Sequence, residues 1–259
     1  MTAAAATSAA TTAAPPSAAD RSPPIDELKR RARVAGLLYL ALALTAPLGL
    51  VVVPSKLFVH GDAAATAERI RAGEGLLRLG IASELVHQVV CIFLVLALER
   101  LFCHVHRGLA RQVVILGAYV SVPIVYVNVL NEVAAIALAT GAPYLAPFDG
   151  AQRDALAYLF VRLHGEGIQV ASVFWGLWLF PLGLLLLRSA LRGGRPVGAL
   201  LLVAGVSYCV TSFTSLVVPA WDDAAVTYLG PLNIAELSVV VWLLVWGWTR
   251  RGSGRAVVH

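Results

Sequence analysis

Glu84, Glu132, Glu166 and Glu236 stand in four separate apolar segments, each with polar neighbours three or four residues away. Residues at that spacing share one face of a helix. Glu84, His87 and Gln88 make one polar stripe, and Asn128, Asn131 and Glu132 a second. Arg162, Glu166 and Gln169 make a third, with His164 beside it. Tyr208, Thr211, Ser212 and Ser215 make a fourth, and Asn233 and Glu236 a fifth. Carboxylates, imidazoles and amides set in apolar helices can relay protons, hold a cation or grip a polar solute. Four carboxyl groups facing one intramembrane guanidinium, Arg162, cannot all stay ionised without compensation. Some must bind protons, pair with imidazolium or hold a cation.

Motifs for covalent or nucleotide chemistry are absent: the chain has no HExxH helix, no GxSxG elbow, no Walker loop and no dinucleotide glycine fingerprint. His87 and His164 stand on different helices at similar depth. They are the weak candidates for axial haem ligation or, with Glu84 and Glu132, for a divalent metal. Taken singly, each polar residue is better explained as a hydrogen bond between helices, worth about 0.6 to 2 kcal/mol. Taken as a layer, they point to a site, because ionisable groups inside a membrane usually mark one. No cofactor is expected, with haem or a divalent metal as the alternative.

The elements that must carry these stripes follow from composition. Of 259 residues, 59% are hydrophobic and 14% charged, which is too little polar surface for a water-soluble globule. Apolar runs near 34–54, 76–99, 112–139, 155–187, 197–219 and 228–248 each approach or exceed the roughly 20 residues that a spanning helix needs. The fold class predicted is all-α: a polytopic membrane helix bundle with six transmembrane helices. The net charge of +5 lies in short clusters between the runs, which fits lipid headgroups and argues against nucleic acid. Cys91, Cys103 and Cys209 form no CxxC pair, so a disulfide framework is not expected.

Charge also predicts direction. Lys29, Arg30, Arg31 and Arg33 precede the first run; Arg100, Arg107 and Arg111 flank the second connection, and Arg188, Arg192 and Arg195 the fourth. Arg153 stands alone near the third. By the positive-inside rule both termini are cytoplasmic. At about 1.5 Å per residue the glutamates then lie roughly 10 to 16 Å below the outer surface. The predicted organisation is a disordered Ala/Thr/Pro-rich tail over 1–28, a transmembrane domain over 29–251 and a short tail over 252–259. Residues 61–71 read as a short helix lying on the membrane, with Ala63, Ala64, Ala67 and Ile70 as its apolar stripe. Trp242, Trp246 and Trp248 read as an interfacial belt. Pro47, Pro123 and Pro181 fall inside spans and predict kinks.

Four segments carry a family resemblance: Gly61-Asp-Ala-Ala-Ala-Thr-Ala67, Leu77-Arg-Leu-Gly-Ile-Ala-Ser-Glu84, Leu163-His-Gly-Glu-Gly167 with Phe174-Trp-Gly-Leu177, and Gly205-Val-Ser-Tyr-Cys-Val-Thr-Ser-Phe213. In that order the chain resembles the bacterial family of multi-pass membrane proteins called domain of unknown function 4386. The resemblance implies a membrane bundle and no reaction. It also implies an Asp-Ser-Phe pattern on the fifth span, where this chain has Thr211-Ser-Phe213.

The function expected is that of a small-solute transporter or membrane receptor with a protonatable polar cavity in the outer half of the bilayer. Its expected partners are lipid, a small solute and protons, and its expected place is the bacterial cytoplasmic membrane. A metal- or haem-dependent intramembrane enzyme and a structural or partner-binding subunit are the alternatives.

Overall fold

A helix satisfies its own backbone hydrogen bonds across a hydrocarbon layer if it is apolar for about 20 residues. Among the described residues, six helices are long and apolar enough to do so: Ile25–Leu57, Glu74–Phe102, Arg107–Thr140, Gly150–Arg188, Gly194–Val217 and Pro219–Trp248, the first to sixth spans. The computed structural model describes residues 23–249, and no strand occurs among the described residues. Large apolar side chains such as Leu44, Tyr119, Val127 and Val241 point outward, which suits a surface solvated by lipid. The protein is a multi-pass membrane protein.

Each span reverses the last, so the ends of the described chain meet at one face of the bundle with the connections after Phe102 and Arg188. Three bonds close that face: Lys29 Nζ donates to the Thr249 carbonyl, Arg31 Nη1 to the Arg100 carbonyl at 2.6 Å and Trp242 Nε1 to the Arg192 carbonyl at 3.1 Å. At the opposite face, Asp62 caps the helix Ala63–Ala72 by accepting from the Ala65 amide at 2.9 Å. That helix buries Thr66, Ala67 and Ile70 against the bundle, and Arg71 pairs with Asp154 on the fourth span at 2.8 Å. It packs on protein where the sequence placed it on lipid, and Ala64 is exposed. Ala67 and Ile70 of the predicted stripe are among its buried residues, with the bundle in place of lipid against them.

Two other expectations change. Ile25–Leu28, assigned to the tail by composition, begin the first span. Asp26 and Glu27 suit the positive end of its dipole, and Glu27 pairs with Arg30 at 2.7 Å and Arg31 at 2.9 Å. Residues 1–22 and the predicted tail over 252–259 lie outside the described residues. Trp242 and Trp246 are not a belt: they stack on each other inside the bundle, while Trp248 is exposed beside Arg33. Three tryptophans in seven residues cannot all share one face of a helix.

Proline and glycine shape the interior. The first span passes from Pro47 into a π-turn at Leu48–Val52, and the third contains a π-turn at Ile115–Val120 shortly before Pro123. Such widened turns recur at functional sites. The sixth span is broken, with a 3₁₀ stretch Gly230–Glu236 between helices Asp222–Leu229 and Leu237–Trp248. Pro231 lacks the amide that an α-helix would use there, and Ser207 of the fifth span donates to the Leu229 carbonyl at 2.6 Å.

Two apolar cores result. The larger, around Leu94, Leu98, Phe102, Leu179, Leu182 and Leu243, fills the half nearest the described ends. The smaller joins Val53, Ile70, Leu77, Ala135 and Val161 at the opposite face. On the second, third and fourth spans the polar residues Glu84, Asn128, Glu132 and His164 fall between the two cores.

Candidate functional site

Glu84, Glu132 and His164 come from three different spans and meet where the two cores separate. They are 5%, 1% and 4% exposed. His164 Nε2 lies 3.3 Å from Glu84 Oε1 and 3.9 Å from Glu132 Oε1. Beyond that His164 contact, neither oxygen of Glu84 has a hydrogen-bond partner among the described residues, and Glu132 Oε2 has none. The imidazole is held from behind. Asn128 Nδ2 lies 3.2 Å from His164 Nδ1 and donates to the His164 carbonyl at 2.9 Å, while Asn131 Nδ2 donates to Asn128 Oδ1 at 2.9 Å.

Two glycines admit these side chains. A Cβ on Gly167 would overlap the Asn128 amide, and one on Gly49, in the first π-turn, would stand 2.7 Å from Glu84 Cγ. The Gly-Glu-Gly sequence of the fourth span thereby acquires a reason: its second glycine lets the third span approach with Asn128 inserted.

A second group forms around Glu236, whose Oε1 accepts from the Tyr39 hydroxyl at 2.6 Å. Tyr208 approaches the same carboxyl group. The three line a cavity of about 220 Å³ whose remaining wall is chiefly apolar and aromatic, including Trp175 and Trp178. Both π-turns reach it, through Leu50 and Gly117. His87 and Gln88 form the polar part of the wall on the second span, and the Thr45 hydroxyl lies 3.0 Å from His87 Nδ1. A gap of about 10 Å³ beyond them reaches Glu84 and shares His87, Gln88 and Trp175 with the cavity. That space is close to the smallest that holds a water molecule.

The polar layer that the sequence reads as a single site forms two groups that meet at His87 and Gln88. Not every residue belongs to them. Arg162 and Glu166 pair at 3.4 Å with their side chains 51% and 42% exposed, away from the buried carboxylates. Gln169 and Asn233 are half-buried. Thr211 turns its hydroxyl to the Ser207 carbonyl of its own helix at 2.9 Å, and Ser212 is buried near it. Serine and threonine side chains often satisfy themselves this way in a helix.

Tyr39, Trp175, Trp178 and Cys91 also line the cavity and were not candidates. Tyr39 carried a usable signal, since a phenol inside an apolar span needs a polar partner. All three cysteines are free.

The family model described as Domain of unknown function (DUF4386) matches residues 34–247, nearly the whole bundle. The chain belongs to the DUF4386 family. No curated protein and no solved structure matches it. The buried group of this DUF4386 protein has a charge imbalance. A doubly ionised Glu84 and Glu132 with a protonated His164 would leave one uncompensated negative charge, which a low-dielectric interior does not tolerate without a proton or a cation.

Proposed function

We propose that this protein binds a small, largely apolar solute bearing an amine or hydroxyl group inside the membrane, as a small-solute transporter or membrane receptor. The carrying observation is the 220 Å³ cavity with the Glu236 carboxyl group set in an aromatic wall by Tyr39. A dry cavity of about 150 Å³ accepts benzene, so a single-ring molecule fits. Indole faces attract an ammonium group, and the carboxylate fixes its position. The chain of polar groups from Glu236 past His87 and Gln88 to Glu84 supports coupling of solute binding to protons or ions. The basic clusters around Arg30, Arg107 and Arg192 support an orientation with both termini cytoplasmic, in a bacterial cytoplasmic membrane.

Thermal unfolding of the purified protein in mild detergent, with benzylamine, phenethylamine, hexylamine and the matching alcohols, tests the reading. At least one amine should raise Tm, with a stabilisation approaching roughly 2.7 kcal/mol at 100 times its Kd. Glu236→Gln should abolish the rise. If no compound stabilises the wild type, or if the variant responds equally, the cavity is not a solute site. Uptake of the stabilising compound into proteoliposomes then separates transporter from receptor.

A further inference from the structure

We infer that Glu84, Glu132 and His164 form a binding site for one first-row divalent cation of the Mn²⁺ to Zn²⁺ group. One ligand atom from each of the three lies within 4.8 Å of the others. Donors about 2.1 Å from a tetrahedral ion stand about 3.4 Å apart. The two contacts of His164 Nε2, at 3.3 and 3.9 Å, bracket that spacing.

The chemistry of the donors agrees. Two carboxylates neutralise a divalent cation, and an imidazole adds a neutral ligand that favours transition metals over Mg²⁺ or Ca²⁺. Three protein ligands leave at least one position for water or an exogenous ligand. Apart from the 3.3 Å approach of His164 Nε2 to Glu84 Oε1, three buried carboxylate oxygens of the pair have no hydrogen-bond partner among the described residues. An unpartnered buried acceptor is costly, and an ion shared between Glu84 and Glu132 would remove that cost.

The surroundings hold the donors in place. Asn128 Nδ2 lies against His164 Nδ1 and is itself held by Asn131, which fixes the orientation of the imidazole ring. Coordination through Nε2 places the ring proton on Nδ1, so Asn128 Nδ2 must draw back from Nδ1 when the ion binds, while its bond to the His164 carbonyl can stay. The gap beside Glu84 shares His87, Gln88 and Trp175 with the wall of the larger cavity. Glu236 is not part of the ion site, so this inference and the solute proposal stand or fall separately.

The test uses the full chain, stripped with EDTA, desalted and titrated with Zn²⁺ or Mn²⁺, with bound ion counted by mass spectrometry. One ion per chain is expected. Glu132→Gln and His164→Ala should each weaken binding by about 100-fold or more, and His104→Gln, in the connection after Phe102, should leave it unchanged. Absence of a stoichiometric ion in the wild type overturns the inference, as does wild-type affinity in both ligand variants. Should those variants fail to fold, X-ray absorption of the zinc-loaded wild type decides. One imidazole with oxygen donors at about 2.0 to 2.2 Å is expected, whereas a shell without imidazole, or one containing sulfur, refutes the site.

Discussion

Two glycines separated by one residue on the fourth span have opposite meanings. A Cβ on Gly165 meets open space, whereas one on Gly167 would collide with the Asn128 amide that braces His164. Gly165→Ala should therefore stabilise by about 0.5 to 1 kcal/mol, through the helical preference of alanine. Gly167→Ala should destabilise by about 1 to 3 kcal/mol through overpacking. It should also lower the affinity of the proposed ion site, because His164 loses its brace. Thermal unfolding of the two variants measures the contrast, and similar Tm changes would show that the third span does not depend on Gly167 for its approach.

The elements between spans carry a separate titration. His104 lies in the short connection between Phe102 and Arg107, half-buried, and burial followed by the positive charge of Arg31 holds its imidazole pKa below the ordinary histidine value. These two causes outweigh a hydrogen bond with the Leu101 backbone. The unfolded chain then binds this proton more readily than the folded one. The contribution of His104 is accordingly complete above the unfolded pKa of about 6.5 and declines as pH falls below it. His104→Gln removes that dependence. Its Tm should fall less than that of the wild type between about pH 7.5 and 5.5; parallel curves would assign the acid sensitivity elsewhere.

At the scale of the whole molecule, the even number of spans puts both described ends on one face, and the unequal distribution of arginine proposes which side that face takes. A cytoplasm-dependent reporter should be active after His259 or within the Gly193–Arg195 connection, and silent at Asp222–Asp223. Activity at the last position would reverse the bundle and move the proposed sites to the other half of the bilayer.

Six spans, their all-helical class and the separate stripes around Glu84, Glu132 and Glu236 were legible in the residues, because hydrophobic length and helical period are local properties. The family resemblance rested on local motifs too, and the match over residues 34–247 agrees with it. Which stripes face one another was not local. Glu132 meets His164 and Glu84 only because Gly167 and Gly49 let three helices close around them. Arg162 and Glu166 satisfy the same spacing rule yet remain on an exposed face, since rotation of a helix is set by the neighbours it packs against. Tyr39 joins Glu236 across 197 positions of the chain. Periodicity determines that a polar face exists; only the packing of the bundle decides whether that face becomes a site.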